Sequence, residues 1–343
     1  MADAVNRQWL LARRPEGMVG AHDFEFRESP IPATGDGEYL VRNLYISFDP
    51  AMRGWMEDRA SYMPPIAIGD PMRAGCVGQV IESKNPAYQK GEIVQGLFGW
   101  QEYAVAGSGL SAGQKVPKGT PLTWPLGVVG ITGLTAYFGL LDLGKPVAGE
   151  TVVVSGAAGA TGSVAGQIAK LKGCRVVGIA GGPEKCGWLT REAHFDAAID
   201  YKSEDVAARL RELCPGGIDV YFDNVGGEIL DAALGNLAQN ARVVMCGGIS
   251  GYNEKEPPPG PRNLMNVVIQ RARMEGFIVI DYAARFPEGA ADLAKWVSEG
   301  KINHREDVQE GIENAPDTLL RLFKGLNTGK QLLKVGDPPL PIV

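Results

Sequence analysis

The chain has 343 residues, of which 45% are hydrophobic and 22% charged, the balance of a folded globular protein with length enough for two domains. Its 34 basic and 40 acidic residues leave a net charge of −6 with no basic block, which argues against nucleic-acid and anionic-membrane partners and for small molecules. Five scattered cysteines without a C-x-x-C pair, no apolar run of the ~18 residues a membrane helix needs, and no apolar signal core at the N-terminus predict a reduced, cytoplasmic protein without a membrane span.

From residue 1 to about 125 the chain reads as short strands between Gly, Pro and Asn/Asp turns, over 38–47, 75–83 and 92–100. Many short strands without long helical periods predict a small barrel or strongly bent sheet. The texture changes after Pro125. An apolar, Gly-containing helix is predicted over 126–143, a buried parallel strand over 151–155, and a helix over 163–172 closed by Gly173. Further strands are expected over 175–180, 197–200, 219–223 and 241–246, separated by helical segments. Strand–helix alternation of this kind specifies an α/β fold with a doubly wound parallel sheet. A last strand over 330–335 is assigned back to the first domain. The expected division is therefore 1–125 with 308–343 against 126–307.

The sharpest local feature is Ser155-Gly-Ala-Ala-Gly-Ala-Thr-Gly162, between a predicted strand and a predicted helix. Ala157, Gly159 and Gly162 fit G-x-G-x-x-G with Ala at the first position. The pattern lets the chain turn tightly, approach a pyrophosphate with its backbone and point a helix N-terminus at the anion. A ligand-free tight turn is the bland alternative, and three glycines with no bulky residue between them exceed what a turn requires.

An NAD site carries Asp or Glu about 20 residues further on, at the end of the second strand, for the ribose 2′-hydroxyl. Here that strand ends Ala180-Gly181-Gly182, followed by Glu184 and Lys185. Glycines leave room for a 2′-phosphate and Lys185 supplies charge, so NADP(H) is expected over NAD(H). Glu184 weighs the other way, and a solvated helix-start lysine would look the same.

His22, His194 and His304 have no ligand-like spacing with Cys or Glu, and no metal site is expected. Ser155 is not in a G-x-S-x-G setting, so a hydrolase elbow is not supported. The cysteines read as small core hydrophobes, with Cys246 at a strand end the one placed to approach a ligand. What remains as chemistry is tyrosine: Tyr62 in a loop of the first domain, and Tyr252 just past the 241–246 strand, where ligands of such sheets bind. The Pro-rich segment 256–262 reads as a wall or lid. A surface loop with an exposed tyrosine is the competing reading.

Taken together, the segments 132–141, 157–173, 221–227 and 248–253, with Asp49-Pro-Ala-Met-Arg53, Arg273-Met-Glu-Gly-Phe277 and Asn327-Thr-Gly-Lys330, resemble the zinc-independent medium-chain dehydrogenase/reductases. Within them the chain is most similar to the prostaglandin reductase, alkenal double-bond reductase and curcumin reductase branch, over nearly its whole length. The resemblance implies a GroES-like catalytic domain and a Rossmann domain with NADPH in the cleft between them. It further implies reduction of the carbon–carbon double bond of an α,β-unsaturated ketone or aldehyde.

Lys185 and Tyr201 match family positions at the 2′-phosphate, Asn327 one near the nicotinamide, and Tyr252 and Tyr62 pocket tyrosines. The expected cofactor set is Ala157, Gly159, Ala160, Thr161, Gly162, Gly181, Lys185, Tyr201, Asn224, Cys246, Gly247, Ile249, Phe277, Val279 and Asn327. Where zinc-dependent relatives carry Gly-His-Glu, this chain has Arg73-Ala74-Gly75 nearby. The implied mechanism is hydride transfer to the β-carbon of the enone, with Tyr252 first and Tyr62 second as phenol donor to the oxyanion. The run 277–280 resembles the edge strand of a family homodimer, with a buried strand as the alternative. A quinone reductase, an alcohol oxidation and a non-catalytic NADPH-sensing role are the competing functions.

Overall fold

The computed structural model describes residues 5–107, 109–256 and 258–343, so Pro257 of the Pro-rich segment lies outside the described residues. The chain divides into two compact units, Met1–Gly127 with Glu306–Val343, and Val128–Arg305.

The first unit opens with strands β1 (Val5–Leu11) and β2 (Phe24–Pro30), paired antiparallel as a separate hairpin. Next come β3 (Tyr39–Ser47), the single helical turn α1 (Met52–Trp55), β4 (Gly75–Ser83), β5 (Ile93–Leu97), β6 (Tyr103–Ala106) and β7 (Gln114–Lys115). These strands pair antiparallel in the order β3-β4-β5-β7, and β6 also pairs with β3. Phe48, Met52, Met72 and Trp100 fill the core.

The second unit begins with α2 (Ile131–Phe138), which runs into a π-helical turn over Gly139–Gly144. Then β8 (Thr151–Ser155), α3 (Ala160–Leu171), β9 (Arg175–Ala180), α4 (Pro183–Arg191), β10 (Ala197–Asp200), α5 (Val206–Leu213), β11 (Ile218–Asp223), α6 (Gly227–Leu234) and β12 (Leu237–Met245) alternate in sequence. A short α7 (Asn266–Ile269), the edge strand β13 (Arg273–Gly276) and α8 (Phe286–Ser298) complete it. All pairs of its six-stranded sheet are parallel, in the order β10-β9-β8-β11-β12-β13. The Val152–Val154 run is wholly buried because the crossover helices of a parallel sheet cover both of its faces. Strand order reverses between β8 and β11, the point in an open α/β sheet where loops diverge and leave room for a ligand.

The chain then returns to the first unit with β14 (Glu306–Glu310), α9 (Ala315–Phe323) and β15 (Lys330–Lys334), extending the sheet to β14-β15-β3. No helix among the described residues is long and apolar enough to cross a membrane.

Several local expectations change. The single helix over 126–143 is interrupted, because Gly127 and Gly130 leave the helical region of backbone space (φ −128°, ψ −112° and φ −97°, ψ −154°). The helix after the glycine loop starts at Ala160, three residues early, and Gly173 follows its end at φ +80°. The run 277–280 is not the edge strand. The edge is the charged Arg273–Gly276 segment, while the Phe277 ring closes over Gly139, whose added Cβ would lie 2.4 Å from that ring. The strand expected over 92–100 stops at Leu97, where the chain turns to bury Phe98 and Trp100.

Candidate functional site

The glycine loop lies at the C-terminal end of β8. Gly156 sits at φ +56°, and a Cβ on Gly162 would come 2.5 Å from the Gly156 carbonyl oxygen, so only glycine lets the first turn of α3 approach the strand end this closely. Ala157 is buried and its N–H donates to Ile179 O at 3.0 Å, while Gly159 is the N-cap of the 12-residue α3, with Ala160, Thr161 and Gly162 in its first turn. Small residues therefore clear the space in front of a helix N-terminus, which suits a pyrophosphate.

Beneath the loop lies a buried carboxylate. Asp223, at the end of β11, accepts hydrogen bonds from Ser155 Oγ (2.7 Å), Tyr221 Oη (2.9 Å) and the N–H groups of Val225 and Gly226 (both 3.1 Å). Ser155 in turn accepts from the N–H of Asn224 at 2.8 Å, and Asn224 Nδ2 donates to Ser155 O at 2.7 Å. Ser155 is thus fully buried structural polarity, and Asn224 is locked to the end of β8. The N–H groups of Cys246 and Gly247 donate to Asp223 O at 2.9 and 3.0 Å, which brings the ends of β11 and β12 together. Burial and the Asp223 charge push the Cys246 thiol up to about 12, so it remains protonated and is no nucleophile at neutral pH. Ile249 opens a 3-10 turn whose hydrogen bonds return to Asn224 O and Val225 O.

At the end of β9, Gly181 faces Tyr201 and Lys202. A Cβ there would stand 2.9 Å from the Tyr201 ring and 3.0 Å from Lys202 Cε. Pairing of β10 with β9, Asp200 opposite Ala180, is what carries these two residues to Gly181. Lys185 lies half-buried in the first turn of α4. An acid does stand nearby, Asp200. Its carboxylate accepts from the N–H groups of Gly182 (2.7 Å) and Lys202 (3.0 Å) and from Ser203 Oγ (3.0 Å). The Gly182 hydrogen bond leads in holding it below the usual carboxylate range. Its oxygens are thus engaged with the protein. Lys202 was missed by the sequence reading, since no local motif marks it. So was Asn253, whose Oδ1 is buried without a hydrogen-bond partner among the described residues.

The tyrosines occupy different units. In the second, the Tyr252 hydroxyl accepts from Gly248 N–H at 3.1 Å and lies against Gly247. Phe277 and Val279 follow β13, with Val279 buried. In the first, half-exposed Tyr62 accepts from Trp55 Nε1–H at 3.1 Å. Burial raises its pKa above the ordinary tyrosine value, with the Trp55 hydrogen bond opposing and the Asp49 charge adding. Asn327, also in the first unit, donates to Gly329 O at 3.0 Å; Lys330 is buried and paired with Asp49 Oδ1 at 2.5 Å.

The description "N-terminal domain of oxidoreductase" matches residues 7–113, and "Zinc-binding dehydrogenase" matches 160–296. An NADPH-dependent curcumin reductase of Escherichia coli (strain K12) is 46% identical over 96% of this chain and 97% of its own length. A 2-alkenal reductase (NADP(+)-dependent) of Nicotiana tabacum is 40% identical over 98% of this chain and 99% of its own. The chain belongs to the medium-chain dehydrogenase/reductase family. Within that family, the crystal structure of CurA in complex with NADPH from Vibrio vulnificus superimposes with a TM-score of 0.92 at 44% identity, covering 97% of this chain and 100% of that one. Although one matched description names zinc, the described residues contain no group of three or more His, Cys, Asp or Glu able to hold a metal ion.

Proposed function

We propose that the protein reduces the carbon–carbon double bond of α,β-unsaturated ketones and aldehydes with NADPH. The observation that carries the cofactor half is the end of β9, where Gly181 lets the Tyr201 ring and Lys202 pack against the strand end, Lys185 lies in the first turn of the helix that follows, and the Asp200 carboxylate is engaged with backbone donors. In this reading Ala157, Gly159, Ala160, Thr161 and Gly162 cradle the pyrophosphate, and Gly181, Lys185 and Tyr201 receive the 2′-phosphate. Asn224, Cys246, Gly247, Ile249, Phe277 and Val279 line the path of the nicotinamide half. The relatives named for alkenal and curcumin reduction support the acceptor class.

Bound NADPH supplies the hydride that adds to the β-carbon of the acceptor. The chain's own part is orientation and stabilisation of charge on the carbonyl oxygen. Tyr62 is the preferred donor to that oxygen. An indole N–H can only donate, so Trp55 fills an acceptor site of the Tyr62 hydroxyl and leaves its proton for another partner; the Gly248 N–H does the same at Tyr252, and Tyr62 is preferred as the more exposed of the two. Tyr252 is assigned to holding the Gly247–Gly248 turn, on the strength of its bond from Gly248. The α-carbon then takes its proton from solvent.

A homodimer is part of the same reading. Strand β13 stands at the sheet edge, and Leu264, Met265, Val268 and Ile269 beside it are 50–65% exposed, an apolar group suited to a second copy.

Loss of NADPH absorbance with a panel of enones, a quinone and a saturated aldehyde, with NADH in parallel, tests the proposal. Turnover of enones to saturated ketones with NADPH well ahead of NADH is expected; turnover of the quinone alone would overturn it.

A further inference from the structure

The loop that carries Tyr62 is backed by a cation with no counter-ion. Most other arginines of the first unit are neutralised, Arg53 and Arg59 by Glu57, Arg13 by Asp23, Arg7 and Arg42 by Glu102, while Arg14 spends its Nη1 on the carbonyls of Met56 and Ile66. Arg73 has no carboxylate within 4.0 Å among the described residues. Its Nη1 donates to Pro64 O at 2.8 Å, and its guanidinium carbon lies 5.9 Å from the centre of the Trp55 ring. A guanidinium has five N–H donors, so most of this fork is unspent. The group is half-buried, and burial pulls its pKa down against the pull of Asp70. It nevertheless remains charged at any working pH.

We propose that Arg73 is a recognition site for a carboxylate on the acceptor, so that acidic enones are preferred substrates. Trp55 joins this site to the reacting end. Its ring carries Arg73, and its N–H holds the Tyr62 hydroxyl. An acceptor whose carbonyl meets Tyr62 would extend along the same indole toward the guanidinium. A planar fork with free donors matches a carboxylate in two-point geometry, which a lysine could not reproduce. The inference rests on the reading of Tyr62 as the oxyanion donor.

The test is titration calorimetry on the protein with NADP+ present, using 4-(4-carboxyphenyl)-3-buten-2-one and its methyl ester. The acid should bind wild type about tenfold tighter than the ester, a modest factor because the site is partly wet. Arg73→Ala should remove that preference by weakening the acid alone, and Arg73→Lys should restore part of it. Equal weakening of both ligands would mean that Arg73 only props the loop through Pro64, and would overturn the proposal. So would equal affinity for acid and ester in wild type, or no binding of either. Because the dissociation constant needs no turnover, acid-selective binding without enone reduction would remove the reductase reading and keep the site. Reduction without acid selectivity would do the reverse.

Discussion

The indole N–H of Trp55 donates to the hydroxyl oxygen of Tyr62 at 3.1 Å, and burial raises that hydroxyl's pKa above its ordinary value. A proton held this way is available for donation across the neutral range. Tyr62→Phe should lower kcat on enones by about 10²-fold, the scale of losing one oxyanion donor, and leave the Kd for NADPH unchanged. Tyr252→Phe should cost less in kcat and more in NADPH affinity, because it frees the Gly248 N–H. The opposite ranking would make Tyr252 the donor. The pH profile gives a second check: kcat should show no fall from ionisation of Tyr62 until the pH passes the ordinary tyrosine value of about 10.

Lys202 stands beside Gly181, and Lys185 lies in the first turn of the helix that follows. Lys202→Ala and Lys185→Ala should each weaken NADPH by about tenfold and change NADH by less than twofold, since only the 2′-phosphate distinguishes the two ligands. Fluorescence titration with both nucleotides reads this directly. An equal loss for NADH would place the phosphate elsewhere.

Gly162→Ala puts a methyl group 2.5 Å from the Gly156 carbonyl oxygen, a contact that backbone must relieve. The variant should lose about 1–3 kcal/mol of stability, the range of overpacked sites, and bind NADPH more weakly as α3 moves away from the strand end. Thermal melting with and without NADPH measures both effects. A larger stabilisation of the variant by NADPH than of wild type would contradict it.

Glu102 is buried, which by itself would raise its pKa, but the Arg7 fork (2.8 and 2.9 Å) and the Arg42 bond (2.9 Å) outweigh burial and hold it low. A carboxylate depressed in the fold stabilises above its unfolded pKa of about 4.3, and that stabilisation is lost as pH falls through the lower folded value. Melting temperatures of wild type and Glu102→Gln should differ most above about pH 5 and converge on further acidification. A gap that widens toward acid would reverse the assignment.

How much of this was legible without coordinates depends on the range of the interactions. Thr151–Ser155, Arg175–Ala180 and Ala197–Asp200 are strands with the bounds their apolar runs suggest. A segment buried on both faces writes its own boundaries in its composition. The hairpin β1–β2 was not anticipated, since mixed residues such as Arg27 and Glu28 give it no clean alternation. Likewise, the charged Arg273–Gly276 segment reads as loop in isolation and is a strand because β12 offers it a partner.

At the candidate site the division is the same. Composition and local order along the chain were enough for the fold class and the glycine loop with its following helix, because each depends on residues adjacent in sequence, while the family came from the resemblance of several motifs in order. Tertiary structure alone decided that Lys202 stands beside Gly181, through the register of two strands about 20 residues apart. It alone decided that Asp223 gathers Ser155, Tyr221 and the ends of two strands, and that Arg73 faces Trp55 without a counter-ion. Such meetings are set by strand pairing and close packing, which bring together groups that no local pattern relates.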